Sequence, residues 1–225
     1  MKGSSKRSSE AASKAEEGSL SSRRPAKGQV TGDSTSEATN GSDGSESDAG
    51  APARGPGAER MARGEELLAQ GNHVQAAEAF SAVLSQEPES VAALLGLGSA
   101  MLSQAHYEGA EKEFRKALKL APNMPDVHYQ LGLTLFKRGV YSTAITMLRR
   151  AIELQRDFAA AHVVLGESLN LSGEPDAAIE ALEHALRLQP ENAKAFYALG
   201  IAYDRKAQPE RAAEMYRRSR EVSGR

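Results

Sequence analysis

The chain has 225 residues, a formal charge of −2 and no cysteine. The missing thiols exclude disulfides, thiolate metal sites, CxxC haem attachment and a cysteine nucleophile. The small net charge excludes a global attraction to nucleic acid or to an anionic membrane.

Residues 1–57 hold no Tyr, Phe or Trp, and Leu20 and Val30 are their only large aliphatic side chains. Such a segment cannot offset the backbone entropy of ordering by burying apolar area, so it is predicted to be a disordered Ser/Gly/charged tail. Its charge is segregated, with seven Lys or Arg and three acids in residues 1–30 and Arg54 alone against five acids in 31–56. A solubilising arm or tether is the simplest reading, with its serines and the Arg23–Arg24 pair as room for phosphorylation or partner contacts. The first 18 residues have no apolar stretch, and no run of about 18 apolar residues follows. Neither a signal peptide nor a membrane-inserted helix is expected, and the protein is expected to be cytoplasmic.

From residue 58 onward the chain repeats. Glycines fall at 64, 98, 132, 166 and 200, a step of 34, and alanines at 76, 110, 144, 178 and 212 keep the same step. Numbering each unit so that this glycine is position 8 gives units at 57–90, 91–124, 125–158, 159–192 and 193–225. Position 7 is Arg63, Leu97, Leu131, Leu165 and Leu199, and position 24 is Phe80, Phe114, Leu148, Leu182 and Tyr216. The pattern, seen whole as LLGLGSAMLSQAHYEGAEKEFRKALKLAP in the second unit, resembles the tetratricopeptide repeat. The resemblance implies a general protein-binding scaffold and leaves the partner open.

Within each unit, apolar residues at helical spacing form two runs, as in Leu94, Leu97 and Met101 followed by Phe114, Ala117 and Leu118. The break inside the unit carries Gly71, Gly139 and Gly173, where a left-handed backbone costs little, but Ala105 and Ala207 in units two and five. Keeping the same turn at those alanines is expected to cost about 1 kcal/mol each. Between units, Pro88, Pro122 and Pro190 mark the break, Ser90 and Asn192 are expected N-caps, and Pro125 with Asp126 suits a first helical turn. Arg156 stands where the neighbouring units have that proline, so the second helix of unit three is expected to run on toward Phe158. The small residues at positions 8 and 20 are expected where the two helices of a unit cross, with large neighbours filling the space beside them. The product is an all-α solenoid of antiparallel helix pairs forming a right-handed superhelix over residues 58–225.

Arg63 at position 7 and Arg220 at position 28 make both terminal faces less apolar than the internal joints. The last helix is expected either to shield itself with Arg217, Arg218 and Arg220 or to have Tyr216 and Val222 covered by another molecule, including a second copy joined end to end.

Catalysis has no motif to rest on: GxxxxGK[ST], GxSxG, HExxH and GxGxxG are all absent. His128 and His162 share position 4, a packing position, while His73 and His106 lie near turns and His184 at position 26. Structural or surface roles are expected of all five, with no metal and no other cofactor. The most basic segment, 205–225, has seven Lys or Arg against three acids and reads as the solvated face of a terminal helix, so no nucleic-acid partner is expected.

In the family that the chain resembles, first-helix positions 2, 5, 9, 12 and 13 line a concave groove. Positions 5, 9 and 12 are here Leu95, Ser99 and Leu102; Tyr129, Leu133 and Phe136; Val163, Glu167 and Asn170; Tyr197, Ile201 and Asp204. Nine of these twelve are apolar, aromatic or small. The resemblance therefore implies a groove anchored around Tyr129, Leu133 and Phe136, with Glu167, Asn170 and Asp204 giving polar discrimination. Family members that hold chaperone tails use a carboxylate clamp, whose five positions counted from unit three are Tyr129, Leu133, Val164, Lys194 and Ala198. Lys194 alone matches, and counting from units one or two gives no match, so an EEVD-type terminus is not the expected ligand. The expected protein is a non-enzymatic adaptor holding an apolar helical or extended segment of another protein. The alternative is a structural subunit of a secretion, pilus, cytoskeletal or polarity assembly using end or convex-face contacts.

Overall fold

A computed structural model describes residues 56–224, all within the unit Gly50–Arg225. The reading of residues 1–57 as a tail lies outside the described residues except at Pro56 and Gly57, which open the first helix. Among the described residues ten α-helices follow in chain order: α1 (Pro56–Ala69), α2 (His73–Leu84), α3 (Val91–Ser103), α4 (Tyr107–Leu120), α5 (Pro125–Lys137), α6 (Tyr141–Leu154), α7 (Ala159–Ser172), α8 (Pro175–Leu188), α9 (Ala193–Arg205) and α10 (Pro209–Ser223). There is no strand among the described residues. Each unit contributes a first helix (α1, α3, α5, α7, α9) and a second (α2, α4, α6, α8, α10), and each pair packs on the next as a solenoid.

Local chemistry sets the breaks. The turn inside every unit is left-handed: φ is +77° at Gly71, +81° at Gly139 and +83° at Gly173, and +57° at Ala105 and +56° at Ala207. Units two and five thus keep the glycine turn with a methyl group in a region that L-residues disfavour. The Ser90 hydroxyl accepts from the Ala93 amide at 3.5 Å, and Asn192 Oδ1 accepts from the Ala195 amide at 2.9 Å. Pro125 opens α5 at a position where its missing N–H costs nothing.

The expected extension of the third unit does not occur. Helix α6 stops at Leu154, in register with Leu120 and Leu188, and Gln155 is extended at φ −139°, ψ 99°. A histidine supports this break without proline: His162 Nε2 lies 3.1 Å from the Arg156 carbonyl, as His128 Nε2 lies 2.8 Å from that of Pro122. Both position-4 histidines are buried structural residues that tie a first helix to the loop before it.

The core is the row of position-24 side chains. Phe80, Phe114, Leu148 and Leu182 have no exposed surface, and the position-20 alanines 76, 110, 144 and 178 are equally covered. The position-8 glycines face these large side chains more than they face the alanines. A Cβ on Gly98 would sit 2.4 Å from Phe114 Cε1, whereas Gly132 meets Leu148 at 2.8 Å and the Ala144 carbonyl only at 3.4 Å. Glycine is therefore needed to seat the position-24 ring or branch, which buries about 1.5–3 kcal/mol of apolar side chain per unit.

Candidate peptide-binding groove

Successive first helices touch one another, α7 with α9 over the longest stretch, whereas no second helix reaches the following second helix among the described elements. Helices that approach more closely on one side of a stack make that side concave, so the first helices form the inner face. Their inner side chains come from positions 5, 9, 12 and 13 because these lie three or four residues apart, on one stripe of a helix.

On α3 and α5, Leu95, Leu102, Tyr129, Leu133 and Phe136 are only partly buried and rest on the central core cluster. The Tyr129 ring leans on Phe158 at 4.8 Å, and Phe136 on Tyr141 at 6.1 Å. Burial, with the Glu167 charge behind it, raises the Tyr129 phenol above its usual pKa. Lys137 stands 5.8 Å above the Phe136 ring, and Ser99 is half-buried between the leucines in sequence. These six residues lie on two first helices, α3 and α5, that touch each other.

The proposed residues of α7 and α9 are placed differently. Val163 and Asn170 are 4% and 3% exposed. Val163 packs with Leu182 and Leu199, while Asn170 Nδ2 donates to the Ala198 carbonyl at 2.8 Å, so both belong to the joint between α7 and α9 and offer no surface to a ligand. Glu167 is paired with Lys194 at 2.9 Å. Asp204 accepts the Tyr216 hydroxyl at 2.6 Å, and burial together with that bond pushes the Tyr216 phenol up to about 12. Tyr197 is 56% exposed and lies against Tyr216 at 5.6 Å, with Ile201 half-buried one turn along α9. Leu171, 48% exposed at position 13 of α7, is a further open apolar side chain to which the same positional rule points.

Among the described residues no group of three or more His, Cys, Asp or Glu could hold a metal ion, and no helix is long and apolar enough to cross a membrane. On α10, Arg218 pairs with Glu214 at 2.8 Å and lies over the Phe196 ring, while Tyr216 and Val222 stay partly exposed.

Stacked helix pairs with an inner face of mixed apolar and polar side chains define a helical-repeat protein of the general protein–protein interaction class. The chain belongs to the tetratricopeptide repeat family: sequence models of that repeat match residues 61–125, 129–183 and 157–223. No curated protein sequence matches the chain. Among solved structures it is similar to MamA (28% identity, TM-score 0.64, covering 72% of this chain and 94% of that one). It is also similar to "MamA 41-end from Desulfovibrio magneticus RS-1" (26%, TM-score 0.67, 75% and 96%). A third likeness is to YrrB, described as "a TPR protein with an unusual peptide-binding site" (26%, TM-score 0.60, 72% and 84%).

Proposed function

We propose that the protein is a non-enzymatic adaptor that holds an apolar helical or extended segment of a partner protein on its inner face. The observation that carries this reading is the half-open set Leu95, Leu102, Tyr129, Leu133 and Phe136, joined by exposed Leu171. Side chains of this kind gain free energy when a partner removes them from water, and they are placed by rigid helices rather than loops. The peptide-binding site named for YrrB supports the same use of a similar fold. Glu167 and Asp204 are already engaged by Lys194 and Tyr216, so selection by these two carboxylates would require the partner to compete with internal bonds.

The test is capture and identification of a partner by the full-length protein, then direct binding of that purified partner to a Tyr129→Ser, Phe136→Ser variant of unchanged helicity. Loss of binding is expected. Unchanged affinity of the folded variant would overturn the groove assignment.

A second reading, a subunit joined end to end through α10, is favoured by the partly exposed Met215, Tyr216 and Val222. Light scattering over a concentration series checks it, since a strict monomer at all concentrations is incompatible with self-association through that helix.

A further inference from the structure

The four outward positions 22, 25, 26 and 29 of the second helix form one stripe, because they are spaced i, i+3, i+4 and i+7. In unit two they are Lys112, Arg115, Lys116 and Lys119; in the other units they are Glu78, Ser81, Ala82 and Ser85; Thr146, Arg149, Arg150 and Glu153; Glu180, Glu183, His184 and Arg187; Glu214, Arg217, Arg218 and Glu221. Units three and five neutralise their paired arginines with acids on the same stripe, as in Arg150–Glu153 at 2.9 Å and Arg218–Glu214 at 2.8 Å. In unit two all four positions are cationic, and no partner holds Lys112 or Lys119 among the described residues. This departure from the repeat is not required by packing, since Lys112, Arg115, Lys116 and Lys119 are all exposed.

The stripe opens into a cleft of about 530 Å³ between α4 and the end of α5, to which Arg138 adds a fifth cation. Three of the cations are fixed from beneath. The Glu111 carboxylate, 6% exposed, accepts from Arg115 Nη2 at 2.7 Å and from Arg138 Nη1, so one buried acid orients two guanidinium groups from different helices. Glu113, 7% exposed, does the same for Lys116 at 2.8 Å. Each guanidinium carries five N–H donors and spends only a few on Glu111, leaving others for the cleft. The solvent-facing acid of the cleft is Glu108, which reaches Arg138 only at 3.7 Å.

We infer that this cleft is a second interaction surface, on the outer side of the solenoid, and that its occupant is a run of Asp and Glu side chains from a partner protein. Charge complementarity selects the class: preset guanidinium groups match the planar, bidentate carboxylate. The stripe from Lys112 to Lys119 is about 10 Å long at 1.5 Å per residue, the span of about three extended residues. A base-stacking aromatic, the usual companion of cations in single-strand nucleic-acid sites, does not line the cleft. The surface does not depend on the inner groove, so a protein could occupy both at once.

The experiment uses the full-length protein with a fluorescent octaglutamate peptide as probe and octaglutamine as its neutral control. Anisotropy titration should show octaglutamate alone binding, with affinity falling as salt rises because exposed charges are screened. Lys112→Glu, Lys119→Glu should weaken binding by about fivefold or more, as two attractive contacts become repulsive. A Lys112→Gln, Lys119→Gln variant gives a smaller loss in the same direction and serves if the charge reversal impairs folding. The groove variant Tyr129→Ser, Phe136→Ser should bind the probe as wild type does. Equal binding of the two peptides would overturn the inference. So would an unchanged affinity in both folded lysine variants, which would move the binding to another basic segment such as residues 1–30. Tighter binding of a single-stranded RNA lost with the same two lysines would also overturn it, by making the cleft a nucleic-acid site.

Discussion

The imidazoles of His162 and His184 are stacked, with ring centroids 4.1 Å apart and planes 12° from parallel, in the crevice between α7 and α8. His162 bonds the Arg156 carbonyl through Nε2 while its Nδ1 is buried without a partner, the arrangement of a neutral ring. Burial holds its pKa below the ordinary histidine value. The Arg156 carbonyl opposes that shift, His184 and Arg187 reinforce it, and Asp157 opposes it.

A histidine whose folded pKa is depressed takes up more protons when unfolded, so stability rises with pH wherever the two states differ. Its contribution is intact above the unfolded pKa of about 6.5 and is lost as pH falls from there toward the folded value. Urea midpoints at pH 7.5 and 5.5 should therefore show wild type losing more stability on acidification than His162→Gln. A wild type that gains relative to the variant at pH 5.5 would contradict this assignment.

Ala105 and Ala207 occupy the left-handed position that is glycine in the other three units. Ala105→Gly and Ala207→Gly should each stabilise the fold by about 0.5–1 kcal/mol, the left-handed strain relieved less the added unfolded-state freedom. Gly139→Ala should destabilise by a similar amount. Thermal melts of the three variants decide it, and a lower melting temperature for both alanine-to-glycine changes would mean that the methyl groups make contacts worth more than the strain.

Gly98→Ala places a Cβ 2.4 Å from Phe114 Cε1, in a unit where that ring has no exposed surface and no room to retreat. A loss of about 1–3 kcal/mol is expected. Phe114→Leu is not expected to rescue it, since in the units that carry leucine a Cβ on Gly132 or Gly166 would still sit 2.8 or 2.4 Å from the leucine Cγ. Urea midpoints check it, and an unchanged midpoint for Gly98→Ala would show that the Phe114 ring can shift at little cost.

Asn170→Ala removes the 2.8 Å bond to the Ala198 carbonyl at a buried joint. A cost of about 1–3 kcal/mol is expected from the lost bond and the space left behind. Full stability with loss of partner binding would instead return Asn170 to the groove.

The sequence by itself determined the period, the register and the punctuation of this protein. A step of 34 in Gly and Ala, the capping Ser90 and Asn192 and the positive-φ turns are legible because each depends on residues a few places apart. Even the two alanines in the glycine turn followed from register alone. Tertiary structure decided which inner residues remain open. Position 12 is half-open at Phe136 but closed at Asn170, because α9, with small Ala198 and Ala202 against it, lies closer to α7 than other successive first helices lie to each other. It also decided that Glu167 meets Lys194 and that Glu111 gathers Arg115 and Arg138 from two helices. Repeat position fixes where a side chain points relative to its own helix pair. Coverage and pairing are set by the size and charge of side chains on the next pair, about 27 to 30 residues away in sequence, and these contacts exist only once the solenoid is stacked.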